Sequence, residues 1–426
     1  MKLSDLIDFN PKRPLEKGTI APFIEMADLL EGERDVSGIG NRVFNGGGSK
    51  FKNGDTLFAR ITPCLENGKT AKVSGLPDNA IGHGSTEFIV MAAKDPGVDK
   101  DFVYYVARHP EFRAYAKGRM EGTSGRQRVS WQAISDYEIP DFSKLERSGI
   151  GSVLSSMDNL ISNNRRVNRA LEAMARTLFK AWFVDFEPVR AKMEGRWKRG
   201  ESLRGLPAHL YDIFPDRLVE SESGQIPEGW EMRSLDSIAD YLNGLALQKF
   251  PPESETEFLP VIKIAQLRAG NTSGADKAST QIKPEYVVVD GDVLFSWSGS
   301  LEVEVWNGGR GALNQHLFKV TSNEVPKWFY FFATRQHLSD FRAIAAGKAT
   351  TMGHIQRKHL TDARIAVAPP ESMKKFDAII VSQFDQLVSN AQQSRSLAQL
   401  RDTLLPKLIS GELRFPEAER IVGAAV

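Results

Sequence analysis

Two long stretches of the chain carry apolar residues at alternating spacings of four and three residues, a pattern that predicts helices with one apolar seam. Polar residues interrupt both seams, at Asn164 and Asn168 in the first and at Asn390 and Ser394 in the second. A helix of about 35 residues would extend for about 50 Å, longer than most helices of compact domains. The predicted seam residues are Ile150, Leu154, Met157, Ile161, Leu171 and Leu178, then Ile380, Leu387, Leu397 and Leu404.

A helix of this kind needs a partner, because a long apolar seam is not stable alone in water. The matched positions of the polar interruptions favour an antiparallel pair made by the two helices themselves, since buried asparagines set the register of paired helices. The alternative is that each helix packs on the globular region that precedes it in the chain.

The second half of the chain repeats the first half at an offset of about 230 residues. Five strings recur in the same order, which indicates two copies of one structural unit. The strings pair 3–9 with 235–241, 23–29 with 261–267, 53–58 with 290–295, 134–140 with 360–370, and 158–163 with 385–390.

Each copy begins with a mixed region that combines β-rich runs, Asn-Gly or Asp-Gly turn signals and a short aromatic helix. We therefore predict an α/β (α+β) fold in which two similar globular domains are joined by two long antiparallel helices that form a coiled coil. The predicted boundaries are 1–143 for the first domain, 144–186 for the first helix, 187–228 for a linker with little secondary structure, 229–370 for the second domain, 371–412 for the second helix and 413–426 for a C-terminal tail.

The composition excludes several classes of protein. With 41% apolar and 26% charged residues, the 426-residue chain is neither wholly disordered nor collagen-like. Its single cysteine, Cys64, cannot form an internal disulfide. Asp5 stands where a signal peptide needs an apolar run, and no stretch reaches the ~18 apolar residues of a membrane span. We therefore expect a cytoplasmic protein without a membrane-spanning segment.

The charge is unevenly distributed. A formal net charge of +1 gives no sign of a nucleic-acid partner for the whole chain. The windows 102–131 and 335–364, however, each hold a strong excess of Lys and Arg around a glycine-containing polar loop, at equivalent positions of the repeat. Either window alone could be a solvated charged surface. Two equivalent windows favour contacts to phosphates and base edges.

The predicted DNA-binding residues follow from these windows. In the first window they are Lys117, Arg119, Thr123, Ser124, Arg126, Gln127 and Arg128. In the second window they are Arg342, Lys348, Thr350, Thr351, His354, Gln356, Arg357 and Lys358.

The sequence lacks the common catalytic and cofactor motifs. Asn67–Thr70 resembles the end of a phosphate-binding loop, but Pro63 replaces the required first glycine. There is no Asn-Pro-Pro-aromatic string of an amino-methyltransferase, no serine-hydrolase elbow and no clustered set of histidines. We expect no catalytic residue, no metal site and no cofactor in this chain.

Three strings accompany the repeat: Thr177–Val189 after the first helix, Leu404–Leu413 within and after the second, and Gly224–Trp230 at the start of the second copy. With these strings the chain resembles, over essentially its full length, the specificity subunit of type I restriction-modification enzymes. The resemblance implies two target-recognition domains, each reading one half of a split sequence in double-stranded DNA. The two long helices would fix the number of base pairs between the two halves, which neither domain reads.

The resemblance also implies partners. Methyltransferase (modification) subunits and restriction subunits would bind the chain, and S-adenosylmethionine, ATP and Mg²⁺ would bind those partners. The chain itself would be non-catalytic. Two other functions stay open: the recognition part of a fused methyltransferase-nuclease enzyme, against which the missing methyltransferase string counts, and a coiled-coil scaffold that binds no DNA.

Overall fold

The repeat in the sequence is a repeat of structure. The computed structural model describes residues 1–123, 125–203, 205–222, 224–347 and 353–425. The chain divides into two units, each containing the globular part of one copy of the repeat. Unit 1 comprises Met1–Ser162 and Ser396–Val426, and unit 2 comprises Asn163–Arg395. Each unit therefore contains part of both long helices.

Within the described residues, the globular part of unit 1 contains two four-stranded sheets and three helices of five or more residues. Its elements are α1 (Leu3–Leu6), β1 (Ile7–Phe9), β2 (Ile20–Ile24), β3 (Gly40–Val43), β4 (Ser49–Phe51), β5 (Thr56–Ala59), β6 (Thr70–Lys72), β7 (Gly82–Gly84), β8 (Phe88–Ala93), α2 (Pro96–Arg108), α3 (Pro110–Lys117) and α4 (Trp131–Ser135). The long helix α5 (Lys144–Phe183) follows. One sheet has the strand order β1-β8-β5-β6 and is antiparallel. The other has the order β3-β2-β7-β4, with β2 and β7 parallel.

Unit 2 repeats this topology. Its elements are α6 (Glu187–Met193), β9 (Leu218–Ser221), β10 (Gly224–Pro227), β11 (Glu231–Ser234), α7 (Leu235–Ile238), β12 (Asp240–Asn243), β13 (Leu259–Ile262), α8 (Ile264–Ala269), β14 (Lys277–Ala278), β15 (Val287–Val288), β16 (Val293–Ser296), β17 (Val303–Val305), β18 (Gly311–Leu313), β19 (Leu317–Thr321), α9 (Lys327–Gln336), α10 (Leu338–Ala346), α11 (Arg357–Asp362), β20 (Arg364–Val367) and the long helix α12 (Pro370–Ile409). The last helix, α13 (Phe415–Ala425), belongs to unit 1. The sheets have the orders β12-β19-β16-β17 and β14-β13-β18-β15, with β13 and β18 parallel.

The aromatic helices lie at the centre of each unit. Residues 102–107 of α2 are all buried, and so are residues 328–334 of α9. A helix that is apolar on every side must be covered on every side. In unit 1 the residues of α2 share one hydrophobic cluster with α5 and α12, and in unit 2 the residues of α9 do the same.

The long helices run antiparallel within each unit. In unit 2, Asn164 lies beside Gln393 near one end, and the ring centroids of Phe183 and Phe376 are 5.3 Å apart near the other. The prediction of two similar α/β domains joined by two long antiparallel helices is confirmed. The alternative packing also contributes, because α5 contacts α2 and α12 contacts α9 within the same clusters.

The predicted seam residues are buried to different extents. Leu178 and Leu387 are half-buried against the unit 2 cluster, and Leu171 is half-buried without joining it. The other seven are buried in the cores, namely Ile150, Leu154, Met157, Ile161, Leu397 and Leu404 in unit 1 and Ile380 in unit 2.

The segment 187–228 differs from the prediction of a linker with little secondary structure. It contains α6, a 3-10 helix at Ala208–Ile213 and the β9–β10 hairpin. Its apolar residues are buried in the core of unit 2, with Trp197 fully covered. Pro188 stands in the first turn of α6, where the missing N–H of proline has no helical partner to lose. Most charged residues of the segment are exposed, but the Lys192 side chain is buried and donates to the Phe214 carbonyl over 2.6 Å.

Candidate nucleic-acid interface

In unit 1 the polar loop of the basic window is attached to the end of the central strand β5. Arg60 is the first residue after β5, and its carbonyl accepts a hydrogen bond of 3.0 Å from the Val129 N–H. The Arg60 N–H donates over 3.0 Å to the carbonyl of Glu87, which directly precedes β8. Ile61 and Arg128 form a β-bridge beside these bonds. We call Arg60, Glu87 and Arg128 the unit 1 corner.

The same backbone arrangement occurs in unit 2. Trp297 is the first residue after β16, and its carbonyl accepts a 3.0 Å hydrogen bond from the Ile355 N–H. The Trp297 N–H donates over 3.3 Å to the carbonyl of His316, which directly precedes β19. Ser298 and His354 form the equivalent β-bridge. Trp297, His316 and His354 therefore form the unit 2 corner. They are equivalent to Arg60, Glu87 and Arg128, in that order.

The side chains of the unit 1 corner are charged. Arg128 binds the Glu87 carboxylate in bidentate fashion, with Nε 3.0 Å from both oxygens and Nη2 2.7 Å from Oε1. Its Nη1 donates to the Arg126 carbonyl over 3.1 Å. The hydrogen bond to Glu87 raises the pKa of Arg128. Arg60 differs, because its Nε is buried without any acceptor and its guanidinium has no partner among the described residues.

The side chains of the unit 2 corner are aromatic. The Trp297 ring lies 5.9 Å from the His316 ring and 6.3 Å from the His354 ring. The Trp297 indole N–H donates to Asn243 Oδ1 over 2.9 Å. Nδ1 of His316 lies 3.0 Å from the Ser298 hydroxyl. One backbone frame thus presents an arginine-glutamate-arginine set in unit 1 and a tryptophan-histidine-histidine set in unit 2.

Some of the predicted DNA-binding residues of the first window already bind other side chains of the protein, and others do not. Lys117 forms an ion pair with Glu66 at 3.0 Å, and the Arg119 guanidinium stacks 3.3 Å from the centre of the Tyr115 ring. Gln127 is half-buried, and its carbonyl accepts from the Thr62 N–H. Thr123 and Arg126 are exposed, and the Arg126 guanidinium has no partner among the residues that the structure describes. Ser124 lies outside the described residues.

In the second window Arg342 is engaged by the Glu302 carboxylate at 2.8 Å and by the Leu301 carbonyl. Arg357 donates to the Tyr241 carbonyl over 3.0 Å and lies over the Phe318 ring. Gln356 and Lys358 are exposed at the start of α11, where Gln356 is the N-cap residue. His354 belongs to the corner, and Lys348, Thr350 and Thr351 lie outside the described residues.

The structure shows which residues of the two basic windows are equivalent. Arg128 is equivalent to His354, because both form the bridge to the strand end. Arg357 begins α11 as Trp131 begins α4, so Arg357 has no arginine counterpart in unit 1. The two loops therefore share an attachment point and differ in the side chains that they present.

Sequence reasoning missed four corner residues: Arg60, Glu87, Trp297 and His316. A signal for two of them was present, because the repeat match of 53–58 with 290–295 reaches positions 60 and 297 when it is extended by two residues. Glu87 and His316 stand directly before equivalent strands, and only the sheet brings them beside the loop.

Metal-ligand clusters, a phosphate-binding loop and membrane-spanning helices are absent from the described residues. Within the described residues no group of three or more His, Cys, Asp or Glu side chains could hold a metal ion. Asn67–Thr70 leads into strand β6 and not into a helix, so it is not a phosphate-binding loop. In the part of the chain that the structure describes, no helix combines the length and apolar composition of a membrane span.

The fold and the corners define a class of protein with two copies of one α/β domain, each presenting a strand-end loop, on two shared long helices. Residues 227–399 match the family described as type I restriction modification DNA specificity domain. The chain is thus a relative of the specificity subunits of type I restriction-modification enzymes, as its sequence strings indicated.

Individual relatives extend this similarity over most of the chain. The specificity subunit of the type I restriction enzyme HindI of Haemophilus influenzae is 24% identical over 408 residues, covering 85% of this chain and 87% of the relative. The MjaIX specificity subunit of Methanocaldococcus jannaschii is 26% identical over 329 residues, covering 75% and 71%. The crystal structure of the S subunit of a type I restriction-modification system from M. genitalium has the same fold, with a TM-score of 0.52, 15% identity and coverage of 96% and 95%.

Proposed function

We propose that this chain is the sequence-specific DNA-binding specificity subunit of a type I restriction-modification complex. Each unit would read one half of a bipartite site in double-stranded DNA. The observation that carries the proposal is the pair of corners, which share the two backbone hydrogen bonds of Arg60 and Trp297 and the adjoining β-bridge but differ at all three side chains. An identical frame supports the same mode of docking in both units, while different side chains suit different base sequences.

The exposed charges of the loops support the phosphate contacts that such docking requires. Arg126 in unit 1 and Lys358 in unit 2 are exposed, and neither side chain has an acceptor among the described residues that it would have to release on binding. Cations in this state neutralise phosphates without first breaking an ion pair, and counterion release then adds to the affinity. The engaged residues Lys117 and Arg342 would contribute less, since each already faces a carboxylate.

The two long helices are proposed to fix the gap between the half-sites. Each has 40 residues and is therefore about 60 Å long. The bases between the half-sites would not be contacted, so only their number would matter. Recognition domains on a repeated scaffold address duplex faces separated by a defined number of base pairs.

We infer that catalysis lies in partner subunits. Methyltransferase subunits would transfer the methyl group from S-adenosylmethionine, and restriction subunits would use ATP and Mg²⁺. The chain would serve as their scaffold and would carry no cofactor of its own. Because its proposed ligand is cellular DNA, we expect it to act in the cytoplasm.

The test is DNA binding by the chain assembled with its methyltransferase subunits, measured at fixed salt after replacing Arg126, Arg128, Arg357 and Lys358 with Ala. The affinity should fall by at least tenfold, because several phosphate contacts are lost. The matched control replaces four exposed cations of the segment after α5, namely Arg190, Arg196, Lys198 and Arg199, and so removes the same charge.

The outcomes separate the competing functions. Equal affinities for both variants and the unmodified complex would contradict the assignment of the loops. A complex that binds no DNA would favour a protein scaffold. Methyl incorporation by the purified chain alone would favour a fused enzyme.

A further inference from the structure

We propose that Arg60 is a specificity-determining residue of unit 1, and that its terminal nitrogens donate to O6 and N7 of one guanine in the half-site read by that unit. The inference rests on the proposed function and deepens it, because it names one residue and one base. It also assigns the equivalent position 297 to the other half-site. The sequence windows pointed instead to Arg128.

The Arg60 side chain is unsatisfied within the described residues. A guanidinium has five N–H donors, and buried donors in proteins almost always have acceptors. Arg60 Nε is buried without one, and no ion pair or hydrogen bond of Nη1 or Nη2 is present among the described residues. A half-buried arginine in this state gains hydrogen bonds to DNA on docking without breaking any inside the protein. Guanine offers two acceptors at the spacing of the two terminal nitrogens.

The ion pair of Arg128 and Glu87 lies next to Arg60 in the unit 1 corner. Arg128 directs Nε and Nη2 to Glu87 and Nη1 to the Arg126 carbonyl, so its donors are largely used inside the protein. Glu87 is thereby neutralised by Arg128 and does not attract Arg60. The pair holds the loop against the strand end and leaves Arg60 as the uncommitted cation of the corner.

The backbone of Arg60 is held rigidly. The Arg60 carbonyl and N–H are both bonded, to Val129 and to Glu87, and the residue continues the central strand β5. A base-reading side chain on a fixed backbone loses less conformational entropy on binding than one on a loop. Arg126 lies in the loop itself and suits a phosphate contact, which tolerates movement.

The corner of unit 2 supplies the internal comparison. Trp297 occupies the position of Arg60 on the same backbone bonds, but its only side-chain N–H is already donated to Asn243. Trp297 cannot make a bidentate contact to guanine. Replacing Arg60 should therefore alter only one half-site, and replacing Trp297 should alter only the other.

The experiment uses the full chain assembled with its methyltransferase subunits and a library of duplexes with a randomised window, from which the preferred bipartite site is selected. Binding is then measured on that site and on duplexes with single base-pair changes. For Arg60→Ala, discrimination at one G·C pair of one half-site should fall about 5- to 150-fold. Arg60→Lys should restore it only in part, since lysine lacks the fork of two donors. Discrimination at the other positions should not change.

Arg126→Ala, in the loop beside the unit 1 corner, is the matched control. It should weaken binding to all duplexes alike and reduce the slope of log affinity against log salt by about one. A uniform loss for Arg60→Ala, or unchanged discrimination at every position, would overturn the assignment of Arg60 and leave the proposed function intact. If the unmodified complex selects no sequence at all, the proposed function itself fails. Far-ultraviolet circular dichroism checks that each variant is folded.

Discussion

Asp158 on α5 and Arg401 on α12 form an ion pair in the core of unit 1, with only 3% and 4% of their side chains exposed. The Tyr105 hydroxyl of α2 donates to the second oxygen of Asp158 over 2.6 Å. Burial and the neighbouring Asp158 carboxylate raise the pKa of Tyr105 well above its ordinary value, so the hydroxyl keeps its proton. Three helices from distant parts of the chain therefore meet at one carboxylate.

Replacing Asp158 with Ala should destabilise unit 1 by about 3–5 kcal/mol, because it leaves the buried Arg401 charge without its partner. Native-state hydrogen exchange of the α2 amides reports this loss locally. Asp402→Ala is the control, since Asp402 also contacts Arg401 but is largely exposed, and it should cost less than about 1 kcal/mol. Equal effects of the two replacements would show that the buried pair has no special role.

Asn168 and Asn390 join the two helices in unit 2, where Asn390 Nδ2 donates to Asn168 Oδ1 over 2.8 Å. Asn168 Nδ2 donates to the Leu387 carbonyl over 2.9 Å. Each single replacement by Ala should cost about 1–3 kcal/mol, because it leaves a buried amide group unsatisfied. The double replacement should cost less than the sum, with a coupling of about 0.5–3 kcal/mol in a double-mutant cycle of unfolding free energies. Strict additivity would mean that the bond does not set the register.

Glu304 on β17 should make the stability of unit 2 depend on pH. Burial raises its pKa from an ordinary 4.5 to about 7, Glu172 and Glu302 add to the rise, and Arg335 and Arg342 oppose it. The folded state therefore binds the proton more tightly than the unfolded state. Stability from this group is fully present below about pH 4.5 and is lost as the pH rises through about 7, by at most about 3 kcal/mol.

Glu304→Gln tests this dependence, because glutamine keeps the shape of the side chain without its titration. The variant should be more stable than the unmodified chain at pH 8, and the two should converge near pH 4.5. Denaturant unfolding at several pH values measures the difference. A constant difference across this range would contradict the assignment of the pH dependence to Glu304.

The proposed ruler can be tested by lengthening both helices at once. Seven residues inserted after Ser162 in α5 and after Arg395 in α12, where each helix passes from one unit to the other, add about 10 Å to the pair. A heptad preserves the seam to within about 20°. The gap should grow by about three base pairs, as read from the methylated sites in genomic DNA, and neither half-site should change.

An insertion in only one helix is the control, since it breaks the register of the pair and should abolish specific methylation. An unchanged gap after the double insertion would contradict the ruler.

Much of the fold could be predicted because it depends on neighbours in the sequence. The seams of α5 and α12 follow from the spacing of Leu154, Met157 and similar residues, and the recurring strings fall on equivalent elements such as α1 and α7. The secondary structure of the segment 187–228 could not be predicted, because its many charged residues are typical of a linker. The segment nevertheless contains the apolar side chains of Trp197 and Phe214. These side chains become buried only when the core of unit 2 surrounds them.

The sequence by itself therefore determined the repeat, the helix pair and the resemblance to specificity subunits, because all three depend on local periodicity and on recurring strings. The tertiary structure decided which charges are free. Arg128 and Arg60 are both arginines close to the same loop, but among the described residues the carboxylate of Glu87, 41 residues from Arg128 in the chain, binds the guanidinium of Arg128 and not that of Arg60. The availability of a side chain depends on its partners in space, and a sheet that brings distant residues together sets those partners.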